Sequence, residues 1–147
     1  MRIALVITVA LAACRHGASP TPPPPADDSD ANPAVTDEDR TILARADALL
    51  ASEAVWNRHD TRDCPAGETR WSLFCALHDA TIEVLGRYDH RRAALQQVRF
   101  VVDERKRDYP HRLMGFNNDP STTFADIKAV LHLARERSDT LRPPRPR

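Results

Sequence analysis

The sequence predicts an all-α domain of four helices on three observations. Residues 36–139 hold no sustained period-two alternation, they contain only three prolines and three glycines, and their apolar residues recur at helical spacing. The chain has 147 residues, which bounds it to one small domain with appendages. Its 21 Lys plus Arg balance 21 Asp plus Glu, so no global field attracts nucleic acid, which is not an expected partner. Apart from residues 3–13, no apolar run is present that would cross a bilayer.

The first helix is predicted over 37–58. Thr36-Asp37-Glu38-Asp39 has a capping-box pattern, and Ile42, Leu43, Ala46, Leu49 and Leu50 keep helical spacing through Trp56. Residues 59–68, with Cys64, Pro65 and Gly67, read as a loop. The second helix, 69–86, is the most apolar. Trp71, Phe74, Cys75, His78, Ile82 and Leu85 share one arc, Leu73, Leu77, Ala80 and Val84 the next, and Ser72, Asp79, Glu83 and Arg87 form a polar strip. Such a helix is expected at the centre, ended by a left-handed Gly86.

Asp89 is the expected cap of a third helix over 90–107, with Ala94, Leu95, Val98, Val101 and Val102 inward and Phe100 on the opposite side. Residues 108–120, with two prolines, Gly115, Asn117 and Asn118, read as irregular. Thr122 or Thr123 then opens the fourth helix, which buries Phe124, Ile127, Val130, Leu131 and Ala134. The helical domain is thus expected over 36–139 and the four helices as a compact bundle.

The termini read differently. Residues 1–13 carry one positive charge and then an uncharged apolar run, the pattern of an export signal. The ending Leu11-Ala12-Ala13-Cys14 resembles the lipobox of bacterial lipoproteins, which implies acylation of Cys14 and a membrane partner reached through it. Residues 14–35 hold six prolines and form the expected anchor and polyproline II stalk, disordered as a whole. Residues 140–147, with three prolines and three arginines, are the expected disordered tail. The resemblance places the protein outside the cytoplasm as a membrane-anchored lipoprotein. Arg15 stands where an aspartate would hold it in the inner membrane, so an organism with two membranes is expected to place it at the outer one or facing the periplasm.

Trp56, the stretch Phe74-Cys75-Ala76-Leu77-His78-Asp79-Ala80, and Phe116-Asn117-Asn118-Asp119-Pro120 running into Thr123-Phe124-Ala125-Asp126-Ile127 together resemble an uncharacterised family of small bacterial helical domains. The resemblance covers about residues 40–137. It supports the boundaries of the fold and implies no activity.

The residues that bear chemistry are scattered. No histidine pair has zinc-binding spacing and Cys64 and Cys75 lie too far apart for a CxxC-type ligand pair, so neither metal nor cofactor is expected. No nucleophile elbow or glycine-rich phosphate loop occurs. Cys75 and His78 share a helix face as a thiol and a base would, yet export favours a Cys64–Cys75 disulfide over two reduced thiols. Asp79 and Glu83 read as an ordinary solvated face, and Asn117, Asn118 and Asp119 are the candidate binding residues, with turn formation as their simpler role.

One catalytic arrangement merits weighing. Glu53 or Asn57 falls within the apolar arc of the first helix and would reach His78 between two antiparallel helices, a carboxylate orienting an imidazole. The alternative is that the first helix has left the core by Glu53 and that His78 meets a backbone carbonyl. The function expected is that of a lipid-anchored binding or scaffolding module with an envelope protein partner. A small envelope enzyme using His78 with a carboxylate is the second reading.

Overall fold

The computed structural model describes residues 32–105 and 108–141. The signal segment, Cys14, the linker as far as residue 31 and the tail from residue 142 lie outside the described residues. Within them the fold is all-α: α1 (Asp37–Leu49), a 3-10 turn (Glu53–Val55), α2 (Leu73–Leu85), α3 (Ala93–Arg105), α4 (Arg112–Asn118) and α5 (Phe124–Thr140). There are therefore five α-helices among the described residues rather than four, because part of the stretch expected to be irregular winds into α4.

The first helix stops nine residues short of its predicted end at Arg58. Its last carbonyls find a partner elsewhere: Lys128 of α5 donates to the carbonyls of Asp47 and Leu50, at 2.9 and 3.2 Å, and to the Asp47 carboxylate. Trp56 leaves helical geometry and pairs with Trp71 in an isolated parallel bridge, Trp71 N–H to Val55 O at 2.8 Å and Asn57 N–H to Trp71 O at 2.9 Å. The same bridge delays the second helix to Leu73. Ser72, expected on the polar strip, is buried as its cap, its hydroxyl accepting from Cys75 N at 3.1 Å. Gly86 ends α2 with φ 73°, the left-handed conformation a side chain would strain.

The third helix begins at Ala93, later than expected, and its N-terminus is served by Asp39 and not by Asp89, whose carboxylate accepts from Arg91 N in the turn before it. Asp39 closes the capping box of α1 with Thr36, and its Oδ1 also accepts from Arg92 Nε at 3.0 Å and Ala94 N at 3.1 Å. One buried carboxylate thereby fixes two helix starts 55 residues apart. Thr123 caps α5 in a second capping box with Asp126.

The centre of the domain is α1, which packs on α2, α5 and α3, while α5 also packs on α3 and the short α4 lies against α3 and α2. The expectation that the second helix is central fails for its C-terminal half: Ile82 is 40% exposed. Ile42, Leu43 and Ala46 meet Leu73, Leu77 and Ala80 on one side and Ile127, Leu131 and Ala134 on the other in one apolar core. Each fully buried Leu or Ile contributes about 1.5–3 kcal/mol. The fold starts ahead of residue 36: Val35 is buried and Asn32 accepts from Gln97 at 2.9 Å.

Candidate functional site

His78 lies midway along α2, half-buried on a turn whose neighbours Leu77, Ala80 and Thr81 are fully buried. It does not meet Glu53 or Asn57. Glu53 is exposed in the 3-10 turn, because the helix that was to carry it inward has ended, and Asn57 is spent on the Trp56–Trp71 bridge and on His59 N at 2.9 Å. Nor does His78 bind a backbone carbonyl among the described residues.

Its Nδ1 sits 2.9 Å from Oδ1 of the adjacent Asp79, whose Oδ2 accepts from the Trp71 indole at 3.0 Å. Neighbours along a helix diverge, but both side chains bend toward each other at its surface, and Trp71 at the mouth of α2 clamps the carboxylate from the other side. A carboxylate acceptor selects the tautomer with hydrogen on Nδ1. Nε2 has no partner among the described residues and is not sealed from water, so its lone pair is presented outward.

Aromatic rings wall this imidazole. Tyr88, in the turn after α2, lies 4.7 Å from it by ring centroids, and Phe74, one turn earlier, lies 6.0 Å from both. Burial pushes the Tyr88 phenol above its ordinary value, against the pull of Arg99 and Arg62. Burial likewise draws the Arg99 guanidinium down, with Arg112 and Arg62 adding to the effect and Tyr88 opposing it.

The loop before α2 brings Arg62 to the same place, its guanidinium 5.6 Å from the Phe74 centroid. Two devices hold that loop. The Cys64–Cys75 disulfide ties it to the first turn of α2 across a Cα–Cα distance of 5.4 Å, in the predicted pairing. Buried Asp60 accepts from Arg62 N at 2.7 Å, an Asx turn that holds Arg62 at φ 64°.

Asn117, Asn118 and Asp119 serve the structure. The Asn117 carboxamide is fully buried; its oxygen accepts from Trp56 Nε1 and Leu73 N, both at 2.9 Å, and its nitrogen donates to Asn57 O at 2.9 Å and Asn118 Oδ1 at 3.1 Å. Asn118 pairs its amide with the backbone of Asp60 at 2.7 and 2.8 Å. Asp119 accepts from Tyr109 at 2.6 Å and caps the turn at Ser121. Asn117 and Asn118 therefore hold the 56–60 segment against α4, and Asp119 ties Tyr109 to the turn at Ser121.

A family model, DUF6197, matches residues 34–137. The chain belongs to this family of unknown function. No curated protein and no solved structure matches it. The span that defines the family takes in the disulfide, the His78–Asp79 pair, the aromatic wall and the Asn117 network, and it stops short of Cys14.

A shallow groove of about 330 Å³ between α1 and α5 is lined by Arg40, Thr41, Ala44, Arg135 and Asp139. Its charges are already matched: Arg40 holds Asp37 at 2.8 Å and Asp139 at 3.5 Å, and Arg135 holds Asp47 at 3.0 Å. No group of three or more His, Cys, Asp or Glu side chains converges as a metal site would require among the described residues. The sequence named His78 as a candidate but placed its carboxylate on the first helix; the fold instead sets Asp79 and Tyr88 beside the imidazole and Arg62 over Phe74. An Asx-type Asp60-x-Arg62 ahead of a cysteine was the signal available for the loop.

Proposed function

We propose that the protein is an exported, lipid-anchored helical module of a bacterial cell envelope, held to the membrane by acylated Cys14 on a proline-rich stalk, with a disordered tail of its own, and that it binds its ligand on the α2 face around His78. The observation that carries the binding reading is the imidazole fixed by Asp79 at 2.9 Å, walled by Tyr88 and Phe74, with Nε2 turned to solvent. The Cys64–Cys75 bond supports export, since such bonds persist in oxidising compartments. The arginine following Cys14 favours the outer membrane where the organism has one. A protein partner at the envelope is compatible with the same face.

Catalysis with His78 as general base is the second reading, favoured by the carboxylate-oriented imidazole itself. The thiol and hydroxyls of α2 and its cap are engaged elsewhere: Cys75 is in the disulfide, the Ser72 hydroxyl caps α2, and Thr81 donates to Leu77 O at 2.7 Å. Binding is therefore the reading adopted. Metabolic labelling with a fatty acid tests the anchor. Label on the wild type and none on Cys14→Ser is expected, and unlabelled wild type that partitions into the aqueous phase of a detergent separation contradicts it.

A further inference from the structure

The face around His78 has a charge character that its rings alone do not explain. Arg62 lies over Phe74 and has no carboxylate partner among the described residues. Arg99 of α3 is anchored on the chain just beyond Tyr88, within electrostatic reach of its phenol. Its Nη1 donates to His90 O at 2.8 Å and to Gln96 Oε1 at 3.2 Å, both neutral, so its charge is also unmatched by any acid among the described residues. A half-buried guanidinium without a carboxylate is costly to maintain, and elsewhere on the molecule the arginines that touch α1 have acids within reach.

Two of the acids near the rings already accept hydrogen bonds. Asp79 is held by His78 and Trp71, and Asp89 accepts from Arg91 N at 3.0 Å. The backbone of Arg62 sits in the left-handed region although it is not glycine, at φ 64°, and is kept there by buried Asp60 and by the disulfide two residues on. Strain maintained by a buried carboxylate and a covalent tie to place one exposed arginine over a ring is the mark of a positioned group.

We propose that this face binds an oxyanion carried on a planar ring, with Arg62 and Arg99 taking the anion, Tyr88 the ring, and His78 Nε2 accepting from a hydroxyl or amide donor of the same ligand. The two guanidiniums supply forked donors suited to carboxylate or phosphate. Phe74 is buried beneath the Arg62 guanidinium and edge-on to Tyr88, so the half-buried Tyr88 is the ring that a flat ligand would meet. This rests on the binding reading above and names its ligand class.

The test titrates the full chain in a zwitterionic detergent with benzoate and phenyl phosphate, with acetate, inorganic phosphate and benzyl alcohol alongside, following the side-chain resonances of His78, Tyr88, Arg62 and Arg99 by NMR. Benzoate or phenyl phosphate is expected to shift all four, and whichever binds more tightly identifies the oxyanion. Acetate, inorganic phosphate and benzyl alcohol are each expected to bind at least about tenfold more weakly, the loss of one charged or stacking contact. Arg62→Gln, on an exposed loop, and Arg99→Gln are each expected to weaken the ringed anions by about tenfold or more. If Arg99→Gln disturbs folding, Arg62→Gln alone decides. Acetate or inorganic phosphate binding as tightly as the ringed anions overturns the stacking contact. Benzyl alcohol matching them, or undiminished binding by Arg62→Gln, overturns the anion site while leaving an aromatic binding face. No shift at any of the four residues overturns both the ligand class and the binding reading.

Discussion

The Asn117 carboxamide and the Trp56 indole, 61 residues apart in the chain, meet at 2.9 Å inside the domain, and the same oxygen accepts from Leu73 N at the start of α2. A single amide thereby secures the segment after α1, the first turn of α2 and the end of α4. Both of its groups are fully used, two bonds accepted and two donated. Trp56 adds its ring to the face of Phe124 at 6.0 Å, beneath the Arg58 guanidinium at 4.9 Å.

Replacing Asn117 with Ala strips two buried N–H donors of their acceptor, each worth about 1–3 kcal/mol. Asn117→Ala is expected to destabilise by about 3 kcal/mol or more in chemical denaturation. Asn117→Asp keeps the acceptor and is expected to lose less if its carboxyl stays protonated. A loss below about 1 kcal/mol for the alanine variant would contradict the role given to this amide.

Gly115→Ala reverses the usual rule for helices. In an exposed helix interior the exchange gains about 1 kcal/mol. Here a Cβ at Gly115 would stand 2.7 Å from Cβ and Cγ of Tyr109, and Tyr109 is itself held by its hydroxyl bond of 2.6 Å to Asp119. The variant is therefore expected to lower the thermal midpoint. Gly115→Ala is expected to cost less in a Tyr109→Gly background, which removes the Cβ and ring that it meets, and a gain from Gly115→Ala in the wild type would show that the contact is absent.

The disulfide closes a loop with a sequence separation of 11. In the chain-entropy picture such a loop contributes about 3 kcal/mol. Cys64→Ser with Cys75→Ser is expected to lose about that much and to free the loop that carries Arg62, so the Arg62 resonances should average while α3 and α5 keep their helicity. Two thiols that alkylate quantitatively in non-reduced, denatured wild-type protein would contradict the bond.

Asp126 gives a pH test. The Thr123 hydroxyl and then the Thr123 backbone N–H hold its carboxyl below the ordinary value of 3.8. A carboxyl depressed in the folded state stabilises above its unfolded value, and that stability is lost as pH falls through the folded value. Being largely exposed, it contributes a small share. NMR titration is expected to place its midpoint below 3.8, with Thr123→Ala moving it upward. A midpoint unchanged by Thr123→Ala would rule out the capping box as its cause.

Helix content and much of the core were legible in the sequence because they depend on local spacing: Ile42, Ala46, Leu77, Val98 and Leu131 are all buried where periodicity puts them. Caps made by neighbours in sequence were legible too, Thr36 and Thr123 among them. What failed depends on distant partners. Trp56 kept the spacing of the first helix by coincidence, while Lys128 ended that helix and Asn117 drew the indole away. Residues 112–118 wind into α4 despite Gly115 and two asparagines, since both asparagines have tertiary acceptors and donors to satisfy them. At the site His78 was found by its place on an apolar arc, but its carboxylate was sought across a helix interface when it lay next in the chain.

The central claim is that Asp79 fixes the His78 ring so that Nε2 is a free acceptor on the binding face. Long-range proton–nitrogen correlation of the His78 ring at about pH 8, well above the ordinary imidazole value of about 6.5, reads this directly. The wild type is expected to carry its hydrogen on Nδ1 with Nε2 bare, and Asp79→Asn to shift the population toward hydrogen on Nε2. A wild-type ring with hydrogen on Nε2, unchanged by Asp79→Asn, would contradict the account.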